Sequence, residues 1–245
     1  MKLKNKVALV TGAAVGIGRA TAIKMAQEGA HVVALDLNGE GLEKLRREIE
    51  ALPGRVLPLV CDVSDEAAVN TAFAKAKETF GKIDILVNNA ALWRSKTAFM
   101  DTPVEEWKRY LDVNVMSVVY CTRAALPDML EEGYGRIINV ASVAGVYGNA
   151  KMVHYSATKG ALISMTRALA KEVSGKGVLV NCVSPGSVSP SEEDDLNYSQ
   201  PSELSFMGRT GSTMENANLI CFLASDDATY ISGQNIQIDG CRKKQ

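Results

Sequence analysis

The stretch Val10-Thr11-Gly12-Ala13-Ala14-Val15-Gly16-Ile17-Gly18-Arg19 follows a short apolar run and leads into a helical pattern. A glycine-rich turn between a strand and a helix lets the backbone approach a pyrophosphate, which binds the N–H groups at the positive end of the helix. The glycines follow the spacing G-x-x-x-G-x-G. Because glycines also allow a helix to pack tightly on a strand, the turn indicates a dinucleotide site only together with its surroundings.

The elements around the turn alternate regularly along the chain. Apolar, β-branched runs predict strands at 7–11, 31–36, 55–61, 83–88, 136–141, 178–183 and 235–239. Helical patterns separate them at 16–28, 39–50, 65–80, 103–130, 155–173 and 213–224. Most of the apolar runs are continuous, as in strands covered by helices on both faces. The alternation therefore predicts an α/β fold, with a doubly wound parallel sheet in a single domain over residues 1–245.

The ends of the helices carry their own signals. Ser64 is expected to cap the helix at 65–80, and Thr102 the helix at 103–130, with Pro103 in its first turn. Three glycines are expected to end helices, namely Gly29, Gly81 and Gly175.

The second predicted strand ends at Asp36. A carboxylate there accepts hydrogen bonds from both ribose hydroxyls of NAD and repels the 2′-phosphate of NADP. The neighbouring positions that would suit a phosphate-binding cation carry neither Lys nor Arg; they are Ala13, Ala14, Leu37 and Asn38. The alternative is that Asp36 caps the helix that begins near Gly39. The pattern favours NAD over NADP.

Six motifs occur in a characteristic order: Thr11-Gly12-x-x-x-Gly16-x-Gly18, Asn88-Asn89-Ala90-Ala91, Asn114, Ser142, Tyr155-x-x-x-Lys159 and Pro185-Gly186. In order and spacing they resemble the short-chain dehydrogenase/reductase family in its compact, classical form, over residues 6–241. The resemblance implies a Rossmann-type sheet of about seven parallel strands and a nicotinamide cofactor. It also implies hydride transfer between a secondary alcohol and a ketone, and a homo-oligomer that is commonly a tetramer.

The resemblance also implies where the cofactor lies. It places Asp62 and Val63 at the adenine, Asn88 beneath the cofactor and Val188 at the nicotinamide carboxamide. Together with the glycine turn and the strand ends, the expected cofactor-binding residues are Gly12, Val15, Gly16, Ile17, Gly18, Asp36, Leu37, Asp62, Val63, Asn88, Ala90, Tyr155, Lys159, Pro185, Gly186 and Val188.

Two positions depart from the family pattern. Ala91 replaces a glycine, which narrows the backbone freedom beside the cofactor. Pro190 replaces a threonine whose hydroxyl often contacts the cofactor in the family. Three serines are candidates to substitute for that hydroxyl, namely Ser187, Ser189 and Ser191, and the sequence does not choose among them.

The catalytic chemistry selects one tyrosine. Hydride transfer from an alcohol needs a base for the hydroxyl proton, and a tyrosine needs a nearby cation because its ordinary pKa is about 10. Tyr155 and Lys159 lie at i and i+4 of a helical segment and hence on one face. A second match pairs Tyr147 with Lys151, but the intervening Gly148-Asn149 favours a turn. Tyr147 is therefore expected to line the substrate pocket.

Two further polar residues complete the predicted catalytic set. Ser142 follows the fifth strand, at the carboxyl edge where ligands bind in open α/β sheets. By resemblance it hydrogen-bonds the substrate oxygen, while Lys159 also holds a ribose hydroxyl; the alternative is a loop cap. Asn114 interrupts an apolar helix face, and in the family it bends the helix and holds a water in a proton relay to the lysine. As an alternative it is a satisfied polar residue of the core.

The substrate side is less determined by the sequence. Besides Tyr147, five residues are candidates for the pocket, each equally suited to packing or to solvent exposure: Trp93, Arg94, Val146, Met152 and His154. Residues 186–208, rich in Pro, Ser and acids, form a long connection that predicts a substrate lid, with a surface insertion as the alternative.

Composition excludes several classes of protein. The 245 residues carry 27 Lys+Arg against 28 Asp+Glu, and a net charge of −1 gives no electrostatic basis for a nucleic-acid or membrane partner. Five scattered cysteines indicate reduced thiols in the cytoplasm, and they are expected to be small buried hydrophobes. Only two histidines are present, so no metal site is expected.

The sequence therefore predicts an NAD-dependent oxidoreductase acting on a small secondary alcohol or ketone, such as a sugar, polyol or hydroxysteroid. The alternatives are a 3-oxoacyl-(acyl-carrier-protein) reductase, a methyltransferase and a non-catalytic NAD-sensing protein. An acidic rim, formed by Glu131-Glu132 before the fifth strand and by residues 192–195, is expected to disfavour an acidic carrier protein. The alternative is that these acids only solvate a loop. Arg94 and Lys96 could also bind a substrate that carries a carboxylate.

Overall fold

A single sheet of seven parallel strands organises the molecule. The structure is a computed structural model that describes residues 1–189 and 195–243. The strand order is β3-β2-β1-β4-β5-β6-β7. The strands are β1 (Val7–Thr11), β2 (His31–Asp36), β3 (Val56–Val60), β4 (Ile85–Asn88), β5 (Gly135–Val140), β6 (Val178–Pro185) and β7 (Asn235–Ile238). The predicted Rossmann-type parallel sheet is confirmed.

Helices cover both faces of the sheet. They are α1 (Gly16–Gln27), α2 (Gly39–Ile49), α3 (Glu66–Phe80), α4 (Val104–Leu111), α5 (Ser117–Glu131), α6 (Ala144–Tyr147), α7 (Val153–Val173) and α8 (Thr213–Ala224). Buried side chains of α1, α2 and α8 form one core with the sheet, and those of α3, α5 and α7 form another on the opposite face. Strands buried on both faces explain why the apolar runs are continuous rather than alternating.

The strand order reverses between β1 and β4. From β1 the chain moves outward to β2 and β3, and it then returns to β4 on the other side of β1. The loops that leave the carboxyl ends of β1 and β4 therefore diverge, which opens the crevice in which α/β sheets bind ligands. The glycine-rich turn follows β1 and the Asn88-Asn89-Ala90-Ala91 motif follows β4, so the two lie side by side.

The predicted helix at 103–130 is wrong as a single α-helix. The chain forms α4, then a π-helical segment at Asp112–Met116, and then α5. Asn114 lies within the π-helical segment, at the place where the family resemblance implies a bend. Such a segment marks an irregularity in the helical hydrogen bonds and often occurs at functional sites. The short helix α6 was not predicted at all.

Four of the predicted helix signals are also wrong. Asp65, and not Ser64, caps α3, because its carboxylate accepts hydrogen bonds from the first-turn amides. The Thr102 hydroxyl instead donates to the carbonyl of Ala98, and Pro103 precedes α4 without a side-chain cap. The left-handed residue after α7 is Gly177, with φ 84°, rather than Gly175.

The cysteines form no disulfides within the described residues. All five cysteines are free; four are buried as expected, whereas Cys241 is exposed. Burial raises the pKa of the Cys121 and Cys221 thiols to about 12, which keeps both protonated. No helix within residues 1–189 or 195–243 is long and apolar enough to cross a membrane.

Candidate active site

The turn after β1 is built for close approach of a ligand. Gly12 and Gly16 have φ values of 65° and 59°, which favour glycine. A Cβ atom at Gly12 would lie 2.9 Å from Cα of Ala90, and one at Gly18 would collide with the carbonyl of Gly12. Gly16 faces open space, with no atom within 4 Å of the Cβ position. The turn is therefore tight on its inner side and open at the start of α1.

Side chains lock this turn to the loop after β4. The Thr11 hydroxyl accepts hydrogen bonds from the amides of Asn89 and Ala90, both at 3.0 Å. The Asn89 side-chain amide donates to the carbonyls of Thr11 and Gly12, at 3.0 and 3.1 Å. Thr11 and Asn89 occur in the six motifs, but no role was predicted for either. They hold the two walls of the crevice at a fixed separation.

Asp36 ends β2 beside the glycine-rich turn. One carboxylate oxygen accepts a hydrogen bond from the Ala14 amide at 3.0 Å, and the other accepts from the Asn38 amide at 2.9 Å. Asn38 caps α2 by accepting from the Gly41 amide at 3.0 Å, so the alternative role of Asp36 as the cap is wrong. Each Asp36 oxygen retains a further lone pair for a ligand hydroxyl.

Exposed apolar side chains flank Asp36. Val15 is 63% exposed and Leu37 is 68% exposed, although both lie at the carboxyl edge of an otherwise well-packed sheet. Ile17 packs against the core at the start of α1. Of the two residues expected at the adenine, Val63 is buried, whereas Asp62 is exposed and accepts hydrogen bonds from the amide and the hydroxyl of Ser64.

The floor of the crevice holds an unpartnered polar atom. Asn88 is buried, and its side-chain amide donates to Oδ1 of Asn139 at 2.9 Å. Its own Oδ1 is buried without a hydrogen-bond partner among the described residues. A buried acceptor of this kind is costly unless a ligand satisfies it. The tight turn, the paired walls, the carboxylate at Asp36 and this acceptor all fit a dinucleotide.

The segment after β6 closes the other end of the crevice. Pro185 ends β6 and accepts a hydrogen bond from the Val143 amide, while the Gly186 amide donates to Ile238 at the end of β7. Val188 pairs with Gly211 in a short parallel bridge. Of the serines that could substitute for the family threonine, Ser189 is buried and hydrogen-bonded to Thr210. Ser191, like Pro190 itself, lies outside the described residues.

Tyr155 and Lys159 lie one turn apart near the start of α7. The Lys159 ammonium is buried, donates to the Val140 carbonyl at 2.7 Å and lies 5.9 Å from the centre of the Tyr155 ring. Burial lowers the pKa of Lys159 to about 8. Burial also raises the pKa of Tyr155, and a hydrogen bond with the Ser142 hydroxyl opposes that rise. Near neutral pH the phenol is therefore protonated and the ammonium remains mostly charged.

Ser142 reaches Tyr155 because two helices pack unusually closely. Its oxygen accepts a hydrogen bond from the Ala144 amide at 3.1 Å, which fixes the side chain at the start of α6. A Cβ atom at Gly145 would lie 2.5 Å from the Lys159 carbonyl carbon and 2.7 Å from the Gly160 nitrogen. Only a glycine at 145 lets α6 approach α7 so closely. Gly145 was not predicted, and its one sequence signal is its position three residues after Ser142.

Asn114 connects three parts of the site. Its side-chain oxygen accepts from the Leu92 amide at 2.7 Å, and its amide group donates to the Leu92 carbonyl and to the Thr158 hydroxyl. The Thr158 hydroxyl in turn donates to the Tyr155 carbonyl at 2.8 Å. The described side-chain partners of Asn114 are thus protein groups, and they tie the loop after β4 to α7. Thr158, which was not predicted either, links Asn114 to α7.

The chain is similar in sequence to known oxidoreductases over nearly its whole length. A family model described as enoyl-(acyl carrier protein) reductase matches residues 12–241. A 3-oxoacyl-(acyl-carrier-protein) reductase from Thermotoga maritima is 41% identical over 98% of each chain. A 2-dehydro-3-deoxy-L-rhamnonate dehydrogenase (NAD(+)) from a Sphingomonas species is 38% identical over 97% of this chain and 95% of its own. A cyclohexanol dehydrogenase from an Acinetobacter species is 35% identical over 98% and 95%.

The chain belongs to the short-chain dehydrogenase/reductase family. Its classical, compact type, predicted from the six motifs, is confirmed. The protein is an oxidoreductase that uses a nicotinamide cofactor, NAD or NADP.

In this short-chain dehydrogenase, the expected pocket residues divide into two groups. Trp93 is 56% exposed, with the Arg94 guanidinium 5.5 Å from its ring centre, and Val146 is also exposed. Met152 and His154 are instead buried. The ring of His154 packs against two aromatic rings of α4, those of Trp107 and Tyr110, so it contributes to the helix packing.

Half of the expected acidic rim is in the wrong place. Glu131 and Glu132 end α5 just before β5, at the amino edge of the sheet, whereas Ser142 follows the carboxyl end of that strand. A six-residue parallel strand separates its two ends by about 20 Å. Of the remaining acids, Asp195 is exposed, and Glu192, Glu193 and Asp194 lie outside the described residues. The two glutamates therefore give no argument about substrates.

Proposed function

We propose that this short-chain dehydrogenase uses NAD to interconvert a secondary alcohol and a ketone on a free small molecule. The observation that carries the proposal is the juxtaposition of the Tyr155 phenol with the Ser142 hydroxyl, one helical turn from the buried Lys159. All three lie at the carboxyl edge of the sheet, which is also the edge that carries the glycine-rich turn. A non-catalytic NAD-sensing protein would have no need of this arrangement.

The three side chains would divide the work between them. A bound nicotinamide would supply or accept the hydride. Tyr155, protonated because burial raises its pKa, would donate its proton to the carbonyl oxygen during reduction and receive it back during oxidation. Ser142 would hydrogen-bond the same oxygen, and the Lys159 charge would stabilise the phenolate that Tyr155 becomes. Asn114 would hold α7 in register through Thr158.

The choice of NAD rests on Asp36. Its carboxylate is fixed by two backbone amides and keeps lone pairs for the ribose hydroxyls, and its charge would repel a 2′-phosphate. We expect kcat/KM with NAD to exceed that with NADP by at least about 10²-fold. Asp36→Ala should remove most of this ratio. Glu40→Gln, which removes an exposed acid from the first turn of α2, is the matched control and should leave the ratio unchanged.

The substrate class has two candidates. The relatives named as a cyclohexanol dehydrogenase and a 2-dehydro-3-deoxy-L-rhamnonate dehydrogenase support a free alcohol, ketone or sugar acid. The Thermotoga reductase, at 41% identity, supports a 3-oxoacyl-(acyl-carrier-protein) instead. Side-by-side assays of cyclic alcohols, sugar acids and an acyl-carrier-protein thioester would separate them. A higher kcat/KM for the thioester at low and at high salt would overturn the free-substrate proposal.

Location and assembly complete the proposal. We expect a cytoplasmic homotetramer, with the helices on either side of Asn114 and α7 supplying the contacts between subunits. Apolar side chains of α4 support such an interface, since Val104 is 62% exposed and Leu111 is 43% exposed. Light scattering of the purified protein would test this, and a monomer at micromolar concentration would contradict it.

A further inference from the structure

The segment that follows β7 turns back onto the loop that follows β6. Within the loop, Pro201 pairs with Arg209, and the Ser202 amide donates to the Gly208 carbonyl at 2.9 Å, so residues 201–209 form a narrow hairpin-like loop. Its tip, residues 204–207, carries Phe206 and Met207, whose side chains are 73% and 61% exposed. These two side chains therefore pack little against the rest of the protein, whereas Ser205 beside them is buried.

Backbone pairing holds the tip instead. We call residues 240–243 the strap. The Phe206 amide donates to the Cys241 carbonyl at 3.0 Å, and the Met207 amide donates to the Gly240 carbonyl at 3.2 Å. The Lys243 amide donates to the carbonyl of Leu204 at 3.0 Å, and Ser205 and Arg242 pair as antiparallel residues. Within the described residues, the main-chain hydrogen bonds that reach 204–207 from outside the loop all come from the strap.

The base of the same loop leads directly to the cofactor crevice. The Gly211 amide donates to the Ser187 carbonyl at 2.9 Å, and the Ser189 amide donates to the Gly211 carbonyl at 3.0 Å. These two bonds pair Gly211 with Val188, which the family resemblance places at the nicotinamide. A cavity of about 10 Å³, enough for one water, lies where the three segments meet. Its lining residues include Ser187, Ser205 and Arg242.

We propose that the strap is a positioning segment of the active site: it holds the tip of the 201–209 loop and, through the Gly211–Val188 pair, the backbone against which the nicotinamide would bind. The proposal rests on the proposed cofactor site. None of the strap residues was expected to act in the site, although Arg242 and Lys243 pair with the loop through their backbones.

Gly240 offers a way to weaken the strap without removing it. Its φ is 63°, and a Cβ atom there would lie 3.2 Å from both Cβ and Oγ of Ser205. Gly133 provides the matched control, because its φ is also 63°, no atom lies within 4 Å of its Cβ position, and it precedes β5 at the opposite edge of the sheet. Gly240→Val and Gly133→Val therefore impose the same backbone strain, but only the former displaces the loop.

Two measurements test the proposal on the full chain. Hydrogen exchange at the Phe206 and Met207 amides should be at least about tenfold faster in Gly240→Val than in the wild type or in Gly133→Val, because two hydrogen bonds are weakened. The Kd for NADH, from fluorescence titration, should rise at least about fivefold in Gly240→Val only. Deletion of residues 241–245 should reproduce both effects, and deletion of 244–245 should reproduce neither.

The outcomes separate this proposal from the proposed function. Unchanged exchange at the tip in both Gly240→Val and the longer deletion would show that the strap does not hold the loop. Faster exchange with an unchanged Kd for NADH would show that the loop is held but positions nothing at the cofactor. Either result overturns the proposal. Failure of the wild type to bind NADH would instead overturn the proposed cofactor site, and the positioning role would fall with it.

Discussion

Two Tyr-x-x-x-Lys sequences lie eight residues apart in this chain and adopt different structures. Tyr155 and Lys159 lie inside the continuous helix α7, where Lys159 is 2% exposed. Tyr147 ends α6 and is 47% exposed, and Gly148 and Lys151 after it have φ values of 76° and 62°. The prediction that the second pair does not share a helical face is confirmed. The spacing is therefore informative only where a helix carries it.

The environments of the two tyrosines differ as much as their backbones. Burial raises the pKa of Tyr155, and the Ser142 hydroxyl contacts it. The Tyr147 hydroxyl donates instead to Oε1 of Gln237 on the edge strand β7, at 2.6 Å. Tyr155, by contrast, lies one helical turn from the buried Lys159 ammonium. The comparison supports the proposal that Tyr155 transfers the proton and that Tyr147 lines the substrate side.

The largest expected effect comes from removing the Tyr155 hydroxyl. Tyr155→Phe removes the transferable proton with little change in volume and should lower kcat by at least about 10²–10⁴-fold. The binding of NADH should change little, since the ring and the helix remain. Steady-state kinetics with the best substrate of the panel would measure the change. An active Tyr155→Phe enzyme beside an inactive Tyr147→Phe enzyme would reverse the assignment.

The second expected effect is a pH dependence that only the buried lysine explains. Because burial lowers the pKa of Lys159 to about 8, its ammonium loses the proton as pH rises through 8, whereas an exposed lysine keeps it to about 10.5. The pKa of Tyr155 is raised, so the phenol stays protonated over the same range. We expect kcat/KM for NADH in ketone reduction to fall about tenfold per pH unit above pH 8.

A lysine-to-arginine change provides the control for the decline in kcat/KM above pH 8. Lys159→Arg keeps a charge at all accessible pH values, so its residual activity should not decline between pH 8 and 10. Lys151→Arg, at the exposed lysine of the second pair, should leave the wild-type profile unchanged. A wild-type profile that is flat to pH 10 would contradict the role given to the buried Lys159.

The smallest expected effect concerns Tyr147 itself. Tyr147→Phe breaks the hydrogen bond to Gln237, which ties the end of α6 to β7. We expect KM for the substrate to rise a few-fold with kcat nearly unchanged, as for a residue that contributes uniform binding. Gln237→Leu removes the same bond from the other side and should match it. A change in kcat larger than the change in KM would place Tyr147 in the chemistry rather than beside it.

Much of the fold follows from local sequence. The bounds of β1, β2 and α8 agree with the pattern to the residue, because continuous apolar runs and helical periodicity each depend on neighbours a few positions away. Caps were less predictable. Ser64 and Asp65 are adjacent and both suit an N-cap, and only the backbone geometry gives the position to Asp65. The π-helical segment around Asn114 has no periodic signal of its own.

The candidate site also combines features set by local sequence with features set by tertiary contacts. The sequence alone determined the glycine-rich turn, the carboxylate at the end of β2 and the placement of Tyr155 and Lys159 on one helical face, since each depends on short spacings along the chain. Only the tertiary structure decided which edge of the sheet carries Glu131, how Gly145 lets α6 approach α7, and that the strap pairs with the loop tip at 204–207. Those features depend on chain direction and on packing between different elements, which no local pattern encodes.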